Sequence, residues 1–243
     1  AEILMRFYGR AGTISKKGEI DLVTDADIGS ESKILEIIGK YFPGDSILSE
    51  EAGPREEDSS RKWIVDPLDG TTNFAHGFPF FSVSIALQAE GDTVMGVVYN
   101  PFMNEFFEAV KGRGSFLNKN RIHVSKIDDM GESLLATGFP YNIRENPSEI
   151  VDLFERMLVR SQGVRRPGCA SIDLCYVAAG RLDGFWEQGL KPWDTAAGML
   201  IVEEAGGRVT TYDGKPYSPF LKNIVASNGC IHNELVAVTS DGS

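Results

Sequence analysis

The chain has 243 residues, 42% hydrophobic and 24% charged, which suits a globular protein with a sizeable core and disfavours disordered, collagen-like and coiled-coil classes. Twenty-four basic against 35 acidic residues leave a formal net charge of −11, which excludes the basic footprint of a nucleic-acid-binding protein. No run approaches the ~18 apolar residues of a membrane span. The opening AEILMRFYGRAG also lacks signal-peptide architecture, so a cytoplasmic setting with neither membrane nor nucleic-acid partner is expected.

Along the chain, the polar stretch Ser15-Lys16-Lys17-Gly18-Glu19 has no apolar period and is expected as a surface loop. Residues 30–42 place Ile34, Leu35, Ile37, Ile38, Tyr41 and Phe42 at helical spacings, with Pro43-Gly44 as a stop. From Lys62 the run WIVD reads as a buried strand that breaks at Pro67. Residues 81–88, 93–100 and 104–110 are further strands with connections short enough for antiparallel pairing. LLATGF (134–139) opens the second half, followed by a helix from Pro147 to about Ser161 and another over 170–179. GFWEQ (184–188) is strand-like, and 193–205 forms a helix that Asp194 can cap and Gly206-Gly207 end. NIVAS (223–227) is a final strand before a short terminal helix. No repeat or linker separates two domains.

Cys169, Cys175 and Cys230 are odd in number and lack CxxC spacing, while His76, His123 and His232 are scattered, so neither disulfides nor zinc is indicated. Any metal here should be oxygen-ligated. Asp66-Pro67-Leu68-Asp69-Gly70-Thr71-Thr72-Asn73 puts two carboxylates at the end of a strand, where their convergence would call for a hard cation such as Mg²⁺. Asp is also a favoured turn residue in its own right, so capping is the plain alternative. Ser49-Glu50-Glu51 and Lys191-Pro192-Trp193-Asp194 add acidic groups beside apolar residues, where an unpaired carboxylate is costly.

WIVDPLDGTTNFAHGFPFFSVSIAL, KPWDTAAGMLIVEEAGG, SEE and DLVTDAD (21–27) resemble, in order, signatures of the inositol monophosphatase family, and the similarity extends through GVVYNPFMNEFFEAVKGRGSFLN. The resemblance implies a mixed α/β fold, the layered α-β-α-β-α sandwich of the sugar phosphatase superfamily. It implies one catalytic domain over 1–243, with the metal motifs in about 1–130 and the substrate segment and Asp194 in about 131–243. Carried over residue by residue, it makes Glu50, Asp66, Asp69, Asp194 and the Leu68 carbonyl ligands for two to three Mg²⁺ ions. Thr71, Asp27 and Glu50 would activate water, and the backbone at Gly70 and Thr71 would meet the phosphoryl group.

For the alcohol portion the family pattern implies Glu187 and the segment Gly168-Cys169-Ala170, beside Asp69 and Asp194; an ordinary exposed glutamate is the alternative for Glu187. Lys16 resembles a mobile-loop lysine, or is simply a solvated charge. Ser49 and Cys169 depart from the residues usual there, and Arg165-Arg166 could meet a second phosphate or a partner subunit. The expected activity is hydrolysis of inositol monophosphate or a related small phosphorylated polyol or sugar by a lithium-sensitive homodimer. The alternatives are a fructose-1,6-bisphosphatase, an NADP(H), nucleotide or histidinol phosphatase, and a non-catalytic regulatory binding protein on the same fold.

Overall fold

The computed structural model describes residues 1–9, 14–16, 22–145 and 147–240, with backbone alone at 14–16 and 22–24. Helix α1 (Glu2–Phe7) precedes an antiparallel ribbon of β1 (Ile14–Lys16) and β2 (Leu22–Thr24). Ser15 and Lys16 are thus strand rather than loop, and the rest of the expected loop, 17–19, lies outside the described residues. Helix α2 (Asp25–Tyr41) starts earlier than the apolar period indicates. Asp25 and Asp27 fill its first turn, where the helix dipole favours negative charge, so a polar turn precedes the amphipathic part.

Strands β3 (Ser46–Ser49), β4 (Gly53–Arg55) and β5 (Arg61–Asp69) lead into the short helix α3 (Thr71–Ala75). An antiparallel run follows: β6 (Ser82–Ala89), β7 (Asp92–Asn100), β8 (Glu105–Val110), β9 (Gly114–Leu117) and β10 (Asn120–Ile122). The eight strands form one sheet, β10-β9-β8-β7-β6-β5-β3-β4, in which only β3 and β5 pair in parallel. The second half contains β11 (Leu134–Thr137), α4 (Ser148–Leu158), β12 (Gly163–Arg165), α5 (Ala170–Ala178), β13 (Gly184–Gln188), α6 (Pro192–Glu204), β14 (Arg208–Thr210), β15 (Asn223–Ser227) and α7 (His232–Ser240). Its sheet runs β12-β11-β13-β15-β14, with β11 parallel to both of its neighbours.

Five layers result. Helices α1 and α2 cover one face of the large sheet, α5 and α6 lie between the sheets, and α4 and α7 cover the outer face of the small one. The expected α-β-α-β-α sandwich is therefore present. The composition of the helices explains their places: α6 buries every residue from Thr195 to Val202 and α5 nearly all of its length, as helices enclosed on all sides must. In contrast α4 is amphipathic and buries only Leu153 and Met157 fully. Ile64, Val98, Phe107, Ile172, Leu174, Phe185 and Ile201 fill the central core. One end of this core lies where β5, α5, β13 and α6 meet, and there the acidic residues gather.

Candidate active site

Strand β5 does not keep its pairing to the end. Asp66 faces Ser84 on β6 and Asp69 faces Ser82, so three steps on one strand match two on the other. Strict alternation would point positions 66 and 69 to opposite faces of the sheet; with the bulge, both line one cleft. Pro67 fits at this place because a bulge asks no ladder hydrogen bond of it. The Leu68 amide donates to Asp66 Oδ1 (3.0 Å), which fixes the carboxylate. Gly70 follows in the left-handed conformation (φ 87°), and a Cβ there would stand 2.9 Å from the Phe80 carbonyl oxygen, so glycine is required twice over.

Thr71 opens α3 buried, its hydroxyl donating to the Leu68 carbonyl oxygen (3.0 Å) and lying 3.4 Å from Oδ1 of Asp27, itself fully buried on α2. Asp69 is held from the second half of the chain: Ser171 donates through its amide (2.8 Å) and hydroxyl (2.6 Å), and Cys169 Sγ stands 3.1 Å away. Asn73 Nδ2 donates to the carbonyls of Phe80 (2.7 Å) and Pro167 (2.8 Å), tying the turn to the segment before α5.

Asp194 sits at the third position of α6 and accepts from the Lys191 amide (2.7 Å), with Pro192 at the helix start. Its carboxylate thus reaches back to the amide of the residue before the helix rather than serving as the N-cap. Glu50, just past β3, and Glu187, on β13, complete the acidic lining.

Glu50, Asp66, Leu68, Asp69, Gly70, Thr71, Gly168, Cys169, Ala170, Glu187 and Asp194 line a single cleft of about 500 Å³. Asp27 reaches it through Thr71. Lys16 is described only as strand backbone, so its expected contact with the site lies outside the described side chains. The sequence reading passed over Ser171, Asn73, Gly138 and Phe139. Asn73 belongs to the DPLDGTTNF run, but the pattern says nothing of its partners, one of which, Pro167, lies 94 positions away.

The electrostatics are those of crowded carboxylates. Burial pushes Asp66 well above the usual carboxylate range, and Glu50, Asp69 and Asp194 push it further. Asp194 is raised by burial and then by Asp69. Asp69 is raised by burial against the opposing hydrogen bonds from Ser171. Glu187 is raised by burial, Asp194 and Asp69, with Arg166 opposing.

Among the described residues, no three His, Cys, Asp or Glu side chains already converge as a closed metal cage. The donors are hard oxygens that disfavour one another's ionisation, and this set fits a divalent cation such as Mg²⁺ while offering little to a soft metal.

The inositol monophosphatase family description matches residues 1–242. The chain is 46% identical over 234 residues to a Synechocystis sp. protein named inositol-1-monophosphatase, covering 96% of this chain and 82% of that one. It is 42% identical over 228 residues to the Escherichia coli protein named Nus factor SuhB, covering 93% and 85%. The crystal structure of extragenic suppressor protein suhB from Bartonella henselae superposes with a TM-score of 0.95 at 43% identity, covering 100% of this chain and 94% of that one.

Proposed function

The chain belongs to the inositol monophosphatase family, and from that premise we propose that it is a Mg²⁺-dependent phosphomonoesterase acting on inositol monophosphate or a related small phosphorylated polyol or sugar. The observation that carries this reading is the single cleft in which Glu50, Asp66, Asp69 and Asp194 stand together, with Asp66 and Asp194 pushed up by burial and by their acidic neighbours. These four, with the Leu68 carbonyl, would hold two to three Mg²⁺ ions. Bound Mg²⁺ would supply a water acidified toward neutral pH and positive charge against the phosphoryl oxygens.

The chain's own groups do the rest. Thr71, anchored on Leu68 and facing Asp27, orients the attacking water, and Asp27 takes up the proton passed through the threonine hydroxyl. Gly70 and Thr71 turn their amides toward the phosphoryl oxygens, where negative charge builds as the ester bond breaks. Glu187 accepts hydrogen bonds from hydroxyls of the leaving alcohol, and Gly168, Cys169 and Ala170 form the backbone wall beside it. Both halves of the chain contribute, so the same reading takes residues 1–243 as one catalytic domain. Homodimerisation, inhibition by lithium and a cytoplasmic setting belong to it as well, and scattering mass and rates with added lithium check the first two.

The test is phosphate release with and without Mg²⁺ from inositol 1-phosphate, fructose 1,6-bisphosphate, NADP, a nucleotide bisphosphate and histidinol phosphate. The highest kcat/KM is expected on inositol 1-phosphate, and D66N should lower release from all of them by on the order of a hundredfold or more. A second reading, a regulatory binding protein, is favoured by the name of the Escherichia coli relative. A folded sample that frees no phosphate from any of the five esters in excess Mg²⁺ would select it.

A further inference from the structure

Gly138 stands one residue past the end of β11, and the ladder explains what it faces. Strands β11 and β13 are parallel, with Thr137 opposite Trp186, so one step further along Gly138 comes beside Glu187. In-register residues of a parallel pair project to the same face, and ordinarily their side chains lie next to each other. Here one side chain is missing and the other has folded into its place. A Cβ built on Gly138 would overlap both carboxylate oxygens and the carboxyl carbon of Glu187, and these are the three nearest atoms it would meet.

The backbone gives no reason of its own for glycine at 138. Gly138 is not among the residues with a left-handed φ, so alanine is compatible with its conformation. Nor can the backbone move aside easily. The Thr137 hydroxyl donates to the Trp186 carbonyl oxygen (2.7 Å) and lies 3.2 Å from that of Gly138, pinning the end of β11 to β13. Leu135, Ala136 and Thr137 are buried below. The group that must yield to a side chain at 138 is therefore the Glu187 carboxylate. Both residues line the cleft, and Glu187 is only 8% exposed, so its carboxylate is confined to a narrow range of directions.

We propose that position 138 sets the specificity of the cleft: glycine there leaves the space in which Glu187 lies, and so positions its carboxylate to receive the hydroxyls of a polyhydroxylated phosphate ester. A side chain at 138 would turn Glu187 out of this place and shift preference toward esters without hydroxyls, while the metal-facing carboxylates stay as they are. The inference rests on the reading of Glu187 as the contact to the alcohol, and it adds the element that aims it.

The experiment is a double-mutant cycle of wild type, G138A, E187A and G138A/E187A, assayed in Mg²⁺ with inositol 1-phosphate and with ethyl phosphate, which carries no hydroxyl. G138A is expected to raise KM for inositol 1-phosphate relative to that for ethyl phosphate by about tenfold, the size of one lost charge-assisted hydrogen bond. On the E187A background the same substitution should change this ratio by less than about twofold, since the group it displaces is gone. A G138A ratio equal to wild type, or a full tenfold effect persisting in G138A/E187A, overturns the proposal while leaving Glu187 as the alcohol contact. A wild-type ratio in E187A overturns the Glu187 reading itself, and this inference with it. Should G138A alone fail to fold, the paired variant, which has no overlap left, still reads against E187A. Its melting temperature should then match that of E187A, and failure of both G138A proteins to fold would mean that backbone, not Glu187, excludes the side chain.

Discussion

The turn after β5 and the wall formed by β11 and β13 both present carboxylates to one cleft, but they hold them by different means. At the turn, Asp66 and Asp69 accept hydrogen bonds from Leu68, Ser171 and Cys169, and Asn73 ties the loop to the segment before α5. At the wall, Glu187 is held by the absence of a neighbouring side chain; near it Asp173, buried on α5, has no hydrogen-bond partner on either carboxylate oxygen among the described residues. One end is fixed by bonds made and the other by space kept open. Substitution should therefore act on them differently: removing a group from the turn breaks the hydrogen bonds that hold it, whereas at the wall adding bulk displaces the carboxylate that the open space holds.

The largest expected effect is D66N, which should lower kcat by on the order of a hundredfold to a thousandfold. In the same variant the metal-free protein should unfold at a higher temperature than wild type, because a carboxylate crowded by three others has been neutralised. Rates in Mg²⁺ check the first and calorimetry of the metal-free proteins the second, and a lower melting temperature in the metal-free variant would count against crowding at the turn.

Next, N73A removes the amide that bridges turn and segment; a loss of about 1–3 kcal/mol in denaturant unfolding is expected, together with a raised KM. Unchanged stability would mean that Asn73 is not the tie.

On α5, near the wall, D173N should be about 1 kcal/mol more stable than wild type at neutral pH. Burial, Glu187 and Asp69 raise the Asp173 pKa in the folded protein. Wild type therefore holds its full stability below the unfolded value of about 3.8 and loses some as pH rises toward the folded value, a slope that the asparagine variant lacks. Urea midpoints from pH 4 to 8 measure the divergence, and parallel curves would show that Asp173 is satisfied after all.

The smallest effect lies outside the cleft, at His232, buried with Thr210 on one ring nitrogen (2.9 Å) and Ser227 on the other (2.8 Å). Burial lowers its pKa from 6.5 to about 4. Its neutral form thus supports the fold above pH 6.5, and that support fades as pH falls toward 4. H232Q should flatten this one segment of the stability profile and leave phosphatase rates at neutral pH within about twofold of wild type.

Much of this architecture was legible along the chain. Alternating apolar runs gave β6, β7 and β8 close to their observed bounds, because antiparallel neighbours with short connections need little beyond local pattern. The ligand-type residues were legible for a different reason: carboxylates beside apolar residues are rarely tolerated without a use. Short strands such as β4, β12 and β14 escaped, since three residues hold no period and owe their form to the ladder they join. Gly138 and Ser171 escaped for a related cause. Each matters only through a residue from a distant part of the chain, and nothing local distinguishes a glycine that makes room from one that merely ends a strand.

The slipped pairing between β5 and β6 carries a consequence for how this sequence can change. With one more residue on β5 than on β6 across that stretch, the spacing between Asp66 and Asp69 is a measured length rather than a string of preferred letters. Shortening it by one would restore ordinary pleating and keep both acids on one side, yet it would remove the residue whose amide steadies Asp66 and whose carbonyl anchors Thr71. A change of side chain at position 68 is felt only as packing, since Leu68 is buried among Leu4, Phe74 and Phe81, while any change in count there rewires this end of the cleft at a stroke.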